Sequence, residues 1–242
     1  MVCPQIAPPE KENSVSAVSQ SPGELARSLY PVVFRTDFTQ PGFALVQLGP
    51  HYGSERLRRL MVNLKCHFHD LEQRYRGRRL VFQSMGRFDQ QVTTRLHRDG
   101  GPDESILMLG YEPTLIKCHV SIADYSKCAR DSGISPAEFL HRFNPMFPDG
   151  NDRLAAYTTQ LHDFHNTCFQ ILLINNSMHR FGSGKLLGVL HTAEIAAPDP
   201  DVMRVVNSTM IGCVSDEVTE RMTAQDQAEF VTTTTIRNAI AT

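Results

Sequence analysis

The stretch Leu96-His97-Arg98-Asp99-Gly100 carries the residues best suited to chemistry. Along an extended chain, side chains two apart point to the same face. The imidazole of His97 and the carboxylate of Asp99 can therefore converge at a strand end, with Arg98 turned away. These are two of the three donors of a 2-His-1-carboxylate facial triad, a ligand set that suits non-haem iron(II) and leaves positions open on the metal. The third donor must be a histidine later in the chain on a neighbouring strand. His191, within Leu187-Gly188-Val189-Leu190-His191-Thr192-Ala193, fits. Its rival is His179, which lies in a turn-like stretch before Gly182 and Gly184, with no arginine-bearing strand at a suitable distance after it.

Open positions on such a metal can take the two oxygens of a 2-oxo acid and one dioxygen. The far carboxylate of a 2-oxo diacid then needs a cation, and the planar fork of arginine matches it. Arg204 begins the β-prone run Met203-Arg204-Val205-Val206-Asn207-Ser208. By alternation Ser208 shares its face and can add a hydroxyl. Thr93 and Arg95 share the face of His97, so Arg95 is a candidate for the pocket, as are Tyr111 and Asn175. His67 and His69 diverge on a helix and make poor joint ligands. His162 and His165 share a helical face but find no third ligand.

The elements that must position these groups are legible from periodicity. Residues 43–48 read as a strand and 54–75 as a long helix capped by Ser54, with Leu57, Leu60, Met61, Leu64, Phe68 and Leu71 as its core stripe. Arg58, Asn63, Lys65 and Asp70 fall on the opposite face. Further strands are expected at 80–83, 91–97, 105–111, 118–123, 168–174, 186–195 and 203–214. Ser135-Pro136-Ala137-Glu138 has the pattern of a capped helix start. A second helix is expected over 152–165 and a short one near 224–230. Strands on both sides of a helical insertion, about 124–167, do not alternate as a βαβ sheet does. The order suits a mainly β fold with flanking helices, an antiparallel barrel or sandwich of the jelly-roll kind. Residues 1–28, rich in Pro, Ser, Glu and Gln, read as a disordered tail, leaving 29–242 as a single domain.

Hydrophobic residues are 41% of the 242, enough for a full core, and the formal net charge is -2. That balance offers no basic block for nucleic acid or an anionic membrane. The six cysteines form no C-x-x-C pair, so reduced thiols are expected. The first residues lack the basic and apolar regions of a signal peptide, and no apolar run approaches a membrane span. A cytoplasmic protein is the expectation.

Taken together, His97-x-Asp99, the distal His191 and the later Arg204 resemble the 2-oxoglutarate and iron(II)-dependent oxygenases of double-stranded β-helix fold. The stretch from Phe169 through Asn175-Asn176 to His191 and Arg204 is similar to that family's final strands. The resemblance covers roughly residues 92–214, about half the chain. It implies a double-stranded β-helix (jelly-roll, cupin-like) core and a dioxygenase that oxidises, by hydroxylation in the usual case, a small-molecule substrate. Succinate and CO2 are the co-products. It further implies that His97, Asp99 and His191 hold Fe(II) and that Arg204, assisted by Ser208, holds 2-oxoglutarate. Two other readings remain open on residues alone: a cupin-like metal enzyme that does not use 2-oxoglutarate, and a non-catalytic β-sandwich binding module with an inert turn at His97.

Overall fold

Capping chemistry sets where the folded chain begins. In the computed structural model, which describes residues 14–16, 20–143, 148–179, 182, 184–214 and 220–238, Ser21 and Glu24 form a capping box around Pro22 and start helix α1 (Pro22–Val33). Leu25, Ala26, Leu29, Tyr30 and Val33 of that helix are buried. A short strand β1 (Ser14–Ser16) precedes it, paired parallel to β2 (Phe43–Gly49). The expectation of a disordered tail to residue 28 is thus corrected for 14–16 and 20–28. Residues 1–13 and 17–19 lie outside the described residues.

Helix α2 (Ser54–Arg76) runs almost as its apolar stripe predicts, and ends at Gly77 in the left-handed region (φ 64°). Its N-cap is Gly53, not Ser54, whose hydroxyl instead donates to Glu112 Oε1 (2.6 Å). The polar face is only partly solvated. Arg58 and Lys65 are buried, Arg58 donating to the Val231 and Thr233 carbonyls and Lys65 pairing with Glu220. Charge at these positions meets partners more than a hundred residues away, which local periodicity cannot reveal.

The remaining elements are β3 (Arg79–Asp89), β4 (Ser105–Tyr111), β5 (Cys118–Ala123), α3 (Tyr125–Asp131), α4 (Pro136–Arg142), α5 (Pro148–Leu154), a 3₁₀ turn (Ala155–Tyr157), β6 (Thr158–Gln160), β7 (Phe169–Asn175), β8 (Leu190–Ile195), β9 (Val205–Val214), α6 (Ala224–Thr232) and β10 (Arg237–Asn238). A seven-stranded sheet has the order β1-β2-β7-β4-β9-β3-β10, and a three-stranded sheet the order β6-β5-β8. Strand alternation divides the core. Ile106, Met108, Ile171, Leu173 and Ile211 face α1 and α2, while Leu107, Leu109, Leu172, Ile174 and Met210 face the small sheet, meeting Val120, Ile122 and Ile195. The protein is mainly β with flanking helices.

Three departures bear on the site. The strand expected at 80–83 extends to Asp89, paired with β9 over its whole length. Residues 91–97 form no regular strand but join the edge of β8 through Thr94 N–H to the Ala193 carbonyl and mutual His97–His191 backbone bonds, each 3.0 Å. The helix expected over 152–165 stops at Leu154, because the β-branched Thr158 and Thr159 pair with Ala123 and Ile122 of β5. His162 and His165 therefore do not share a helical face.

Under the large sheet lies a buried ionic cluster. Glu72, fully buried, accepts from the Tyr30 hydroxyl (2.5 Å) and from Arg78 Nε (2.7 Å), while Arg78 Nη1 reaches Glu104 (2.7 Å). Burial and then the Glu72 carboxylate push the Tyr30 phenol well above its ordinary value. Removing Glu72 leaves the Tyr30 hydroxyl without its acceptor and Arg78 with Glu104 alone, so Glu72→Ala is expected to lower stability by about 3–5 kcal/mol. Urea denaturation checks this; an unmoved midpoint would mean the cluster contributes nothing.

Candidate metal centre

His97 is placed by the edge segment, His191 by β8, and the two imidazoles face each other with centroids 4.3 Å apart. Asp99 lies just beyond, its Oδ1 3.2 Å from His97 Nε2. One donor atom from each of His97, Asp99 and His191 lies within 4.8 Å of the other two, the arrangement needed to hold one ion. His179 is not part of it; it stands 3.6 Å from Glu104. His97 Nδ1 lies 2.7 Å from the Arg95 carbonyl, which makes Nδ1 the donor and leaves Nε2 for a metal. His191 Nδ1 is buried and has no hydrogen-bond partner. Two imidazoles and a carboxylate at these separations fit a divalent first-row metal.

The charges are set for that task. Burial drives His191 down to about 4, helped by His97 and opposed by Asp99, so it is a neutral ligand near pH 7. Burial also pulls on His97, but Asp99 and the Arg95 carbonyl outweigh it and hold His97 above its ordinary value. Burial raises Asp99, yet the His97 hydrogen bond and the neighbouring His191, His97 and Arg98 keep its carboxyl below the ordinary range. In the metal-free protein the raised His97 gives stability that is complete below its unfolded pKa and is lost as pH rises through its folded value. A metal must displace that proton. Binding of Co(II) should therefore strengthen as pH rises through the raised value of His97, and below that value it should release a proton from His97 alone. Calorimetry in buffers of different ionisation enthalpy measures this; release of two protons would show that His191 is charged as well.

The three residues line a cavity of about 250 Å³ together with Thr94, Gln90, Tyr111, Arg204 and Ser208, among others. Arg204 is 2% exposed. It donates from Nη1 to the Gln90 carbonyl (2.8 Å) and from Nη2 to Cys118 Sγ (3.3 Å), and lies over the Tyr111 ring. Its Nε is buried without a hydrogen-bond partner. Burial holds the Tyr111 hydroxyl far above its usual value, so the phenol is neutral beside the cation.

Two expected pocket residues lie elsewhere. Arg95 is exposed and does not line the cavity, because the edge segment departs from strict alternation and turns Thr94 inward instead. Asn175 is fully buried but points away, donating to the Val33 carbonyl at the end of α1. Its parity matches Ile171 and Leu173, which face the helices. Its neighbour Asn176, missed in the sequence, does not line the cavity but bonds to the backbone of Asp99. Leu172 and Ile174 face the small sheet, and continuing that alternation would have selected position 176. Gln90 and Thr94 carried no signal in the sequence beyond neighbourhood.

Comparison with protein-family models and with curated proteins gives no match. The fold and the site define a mainly β protein of two sheets whose His97, Asp99 and His191 can hold a metal ion. Among the described residues no helix is long and apolar enough to cross a membrane.

Proposed function

We propose that this protein is a non-haem iron(II) and 2-oxoglutarate-dependent dioxygenase that oxidises a small molecule, releasing succinate and CO2. The observation that carries the reading is a single cavity shared by the His97–Asp99–His191 cluster and a buried arginine whose Nε has no hydrogen-bond partner. A buried guanidinium is costly unless acceptors compensate it, and the hydrogen bonds from Arg204 to the Gln90 carbonyl and Cys118 leave part of that need unmet. A carboxylate is the natural complement of a guanidinium. Ser208 lines the same cavity and can add a hydrogen bond.

The order of strands supports a double-stranded β-helix. From β3 to β9 the chain passes from the large sheet to the edge of the small one at 91–97, returns to β4, crosses to β5 and β6, and then alternates through β7, β8 and β9. This winding places the donors of one cluster on a neighbouring edge segment and strand.

Iron(II), when bound, supplies the activation of dioxygen that couples decarboxylation of 2-oxoglutarate to oxidation of a C–H bond. The protein's own residues orient and exclude. His97, Asp99 and His191 would hold the ion. Arg204 and Ser208 hold the far carboxylate of the co-substrate. Leu109, Val206, Phe88 and the neutral Tyr111 supply apolar lining to the same cavity. The test is succinate formation from 2-oxoglutarate by the purified protein with iron(II) and ascorbate, including uncoupled turnover without substrate. Metal binding with no 2-oxoglutarate consumed across a broad panel of small molecules would move the protein to a metal enzyme that does not use this co-substrate.

A further inference from the structure

The loop that carries Asp99 is held by one side chain that is not a ligand. Asn176 is fully buried just past the end of β7. The Asp99 backbone amide donates to Asn176 Oδ1 (3.0 Å), and Asn176 Nδ2 donates to the Asp99 carbonyl (3.0 Å). The side-chain amide thus mimics one rung of a β-ladder and fixes both the N–H and the C=O of the residue whose carboxylate joins the cluster. Its own position is set from behind. The Asn176 backbone N–H donates to the Ser105 carbonyl (2.9 Å), and Asn176 Nδ2 also meets Ser105 Oγ (3.1 Å). Arg98 closes the loop, donating to the carbonyls of Asn176 (3.1 Å) and Pro102 (3.0 Å).

Without this clamp, Asp99 would hang on a turn followed by two glycines, Gly100 and Gly101, the most flexible backbone available. A ligand free to sample other directions weakens the ion's site through the entropy of fixing it. We propose that Asn176 is a positioning residue of the metal centre: by gripping both backbone groups of Asp99 it holds the carboxylate on the point where His97 and His191 meet. The proposal rests on the metal-centre half of the reading above and is independent of 2-oxoglutarate.

The test uses the full chain and Co(II) as the probe, with affinity from calorimetry and the ligand-field spectrum as a second readout. Asn176→Ala removes both contacts and should weaken Co(II) binding about 10- to 100-fold and alter the spectrum. His179→Ala, whose side chain stands by Glu104 outside the cluster, should bind Co(II) within about threefold of wild type. Asn176→Asp keeps the acceptor for the Asp99 amide but sets an oxygen against its carbonyl, so it should fall between, and it serves if the alanine variant does not fold. Wild-type affinity and spectrum in whichever of the two Asn176 variants folds, even with a lower melting temperature, would overturn the proposal and leave a purely structural asparagine. Failure of the wild type itself to bind Co(II) would overturn the metal-centre reading along with it.

Discussion

Asp99→Ala is expected to lower divalent-metal affinity by at least about 100-fold and to reduce succinate formation to background. Outer-shell groups around metals typically change affinity by 10- to 100-fold, and a ligand that supplies the only negative charge of the set must exceed that. The carboxylate is held ionised against its burial by His97 and the nearby positive groups. Its loss therefore removes a charged donor, leaving two imidazoles 4.3 Å apart with no carboxylate beside them. The fold should survive, since Asp99 contributes its backbone to the Asn176 clamp and its side chain only to His97. Calorimetric titration with Co(II), alongside the melting temperature of the metal-free form, measures both. His179→Ala is the control, because that side chain stands by Glu104 rather than in the cluster, and its metal affinity should be unchanged. An Asp99→Ala protein that binds metal as tightly as wild type would remove the cluster from consideration as the metal centre.

Much of this was readable because it depended on short-range periodicity. The strands at 105–111 and 118–123 and the helix from Ser54 follow from alternation and a helical stripe, and the convergence of His97 with Asp99 follows from residues two apart near the end of an extended segment. What could not be read depended on partners distant in sequence. Arg58 looks like a solvated helix residue until the C-terminal carbonyls of Val231 and Thr233 arrive to cover it. The threonines at 158 and 159 look helical in context until β5 offers them a ladder. The choice between Asn175 and Asn176 needed to know which parity of β7 faces the small sheet, which only the two-sided packing decides. Helix α1 is a different kind of miss. Its signal was local, Ser21-Pro22-Gly23-Glu24 followed by Leu25, Ala26, Leu29 and Tyr30, but the polar composition of the flanking residues masked it.

Arg204→Ala is expected to raise the KM for 2-oxoglutarate about 100-fold while leaving Co(II) affinity within about twofold. Truncating one partner of a buried, hydrogen-bonded charge pair costs about 2–5 kcal/mol, and each 1.4 kcal/mol is about tenfold in affinity. The guanidinium is too far committed to the cavity to be a surface charge: it is 2% exposed, and the Gln90 carbonyl and Cys118 fix two of its nitrogens while Nε has no hydrogen-bond partner. A lysine at this position keeps the charge but not the fork, nor the contact across Tyr111, so Arg204→Lys should lie between, with a KM raised about tenfold. Ser208→Ala removes the hydroxyl proposed to meet that carboxylate and should also raise KM about tenfold. Substrate-independent 2-oxoglutarate turnover, measured against co-substrate concentration, separates these effects from any on the metal. The sharp outcome is the split between the two ligands. An Arg204→Lys protein that consumes 2-oxoglutarate with an unchanged KM would place the co-substrate carboxylate on some other cation, while a parallel loss of Co(II) affinity would show that Arg204 supports the fold around His191 rather than a second ligand.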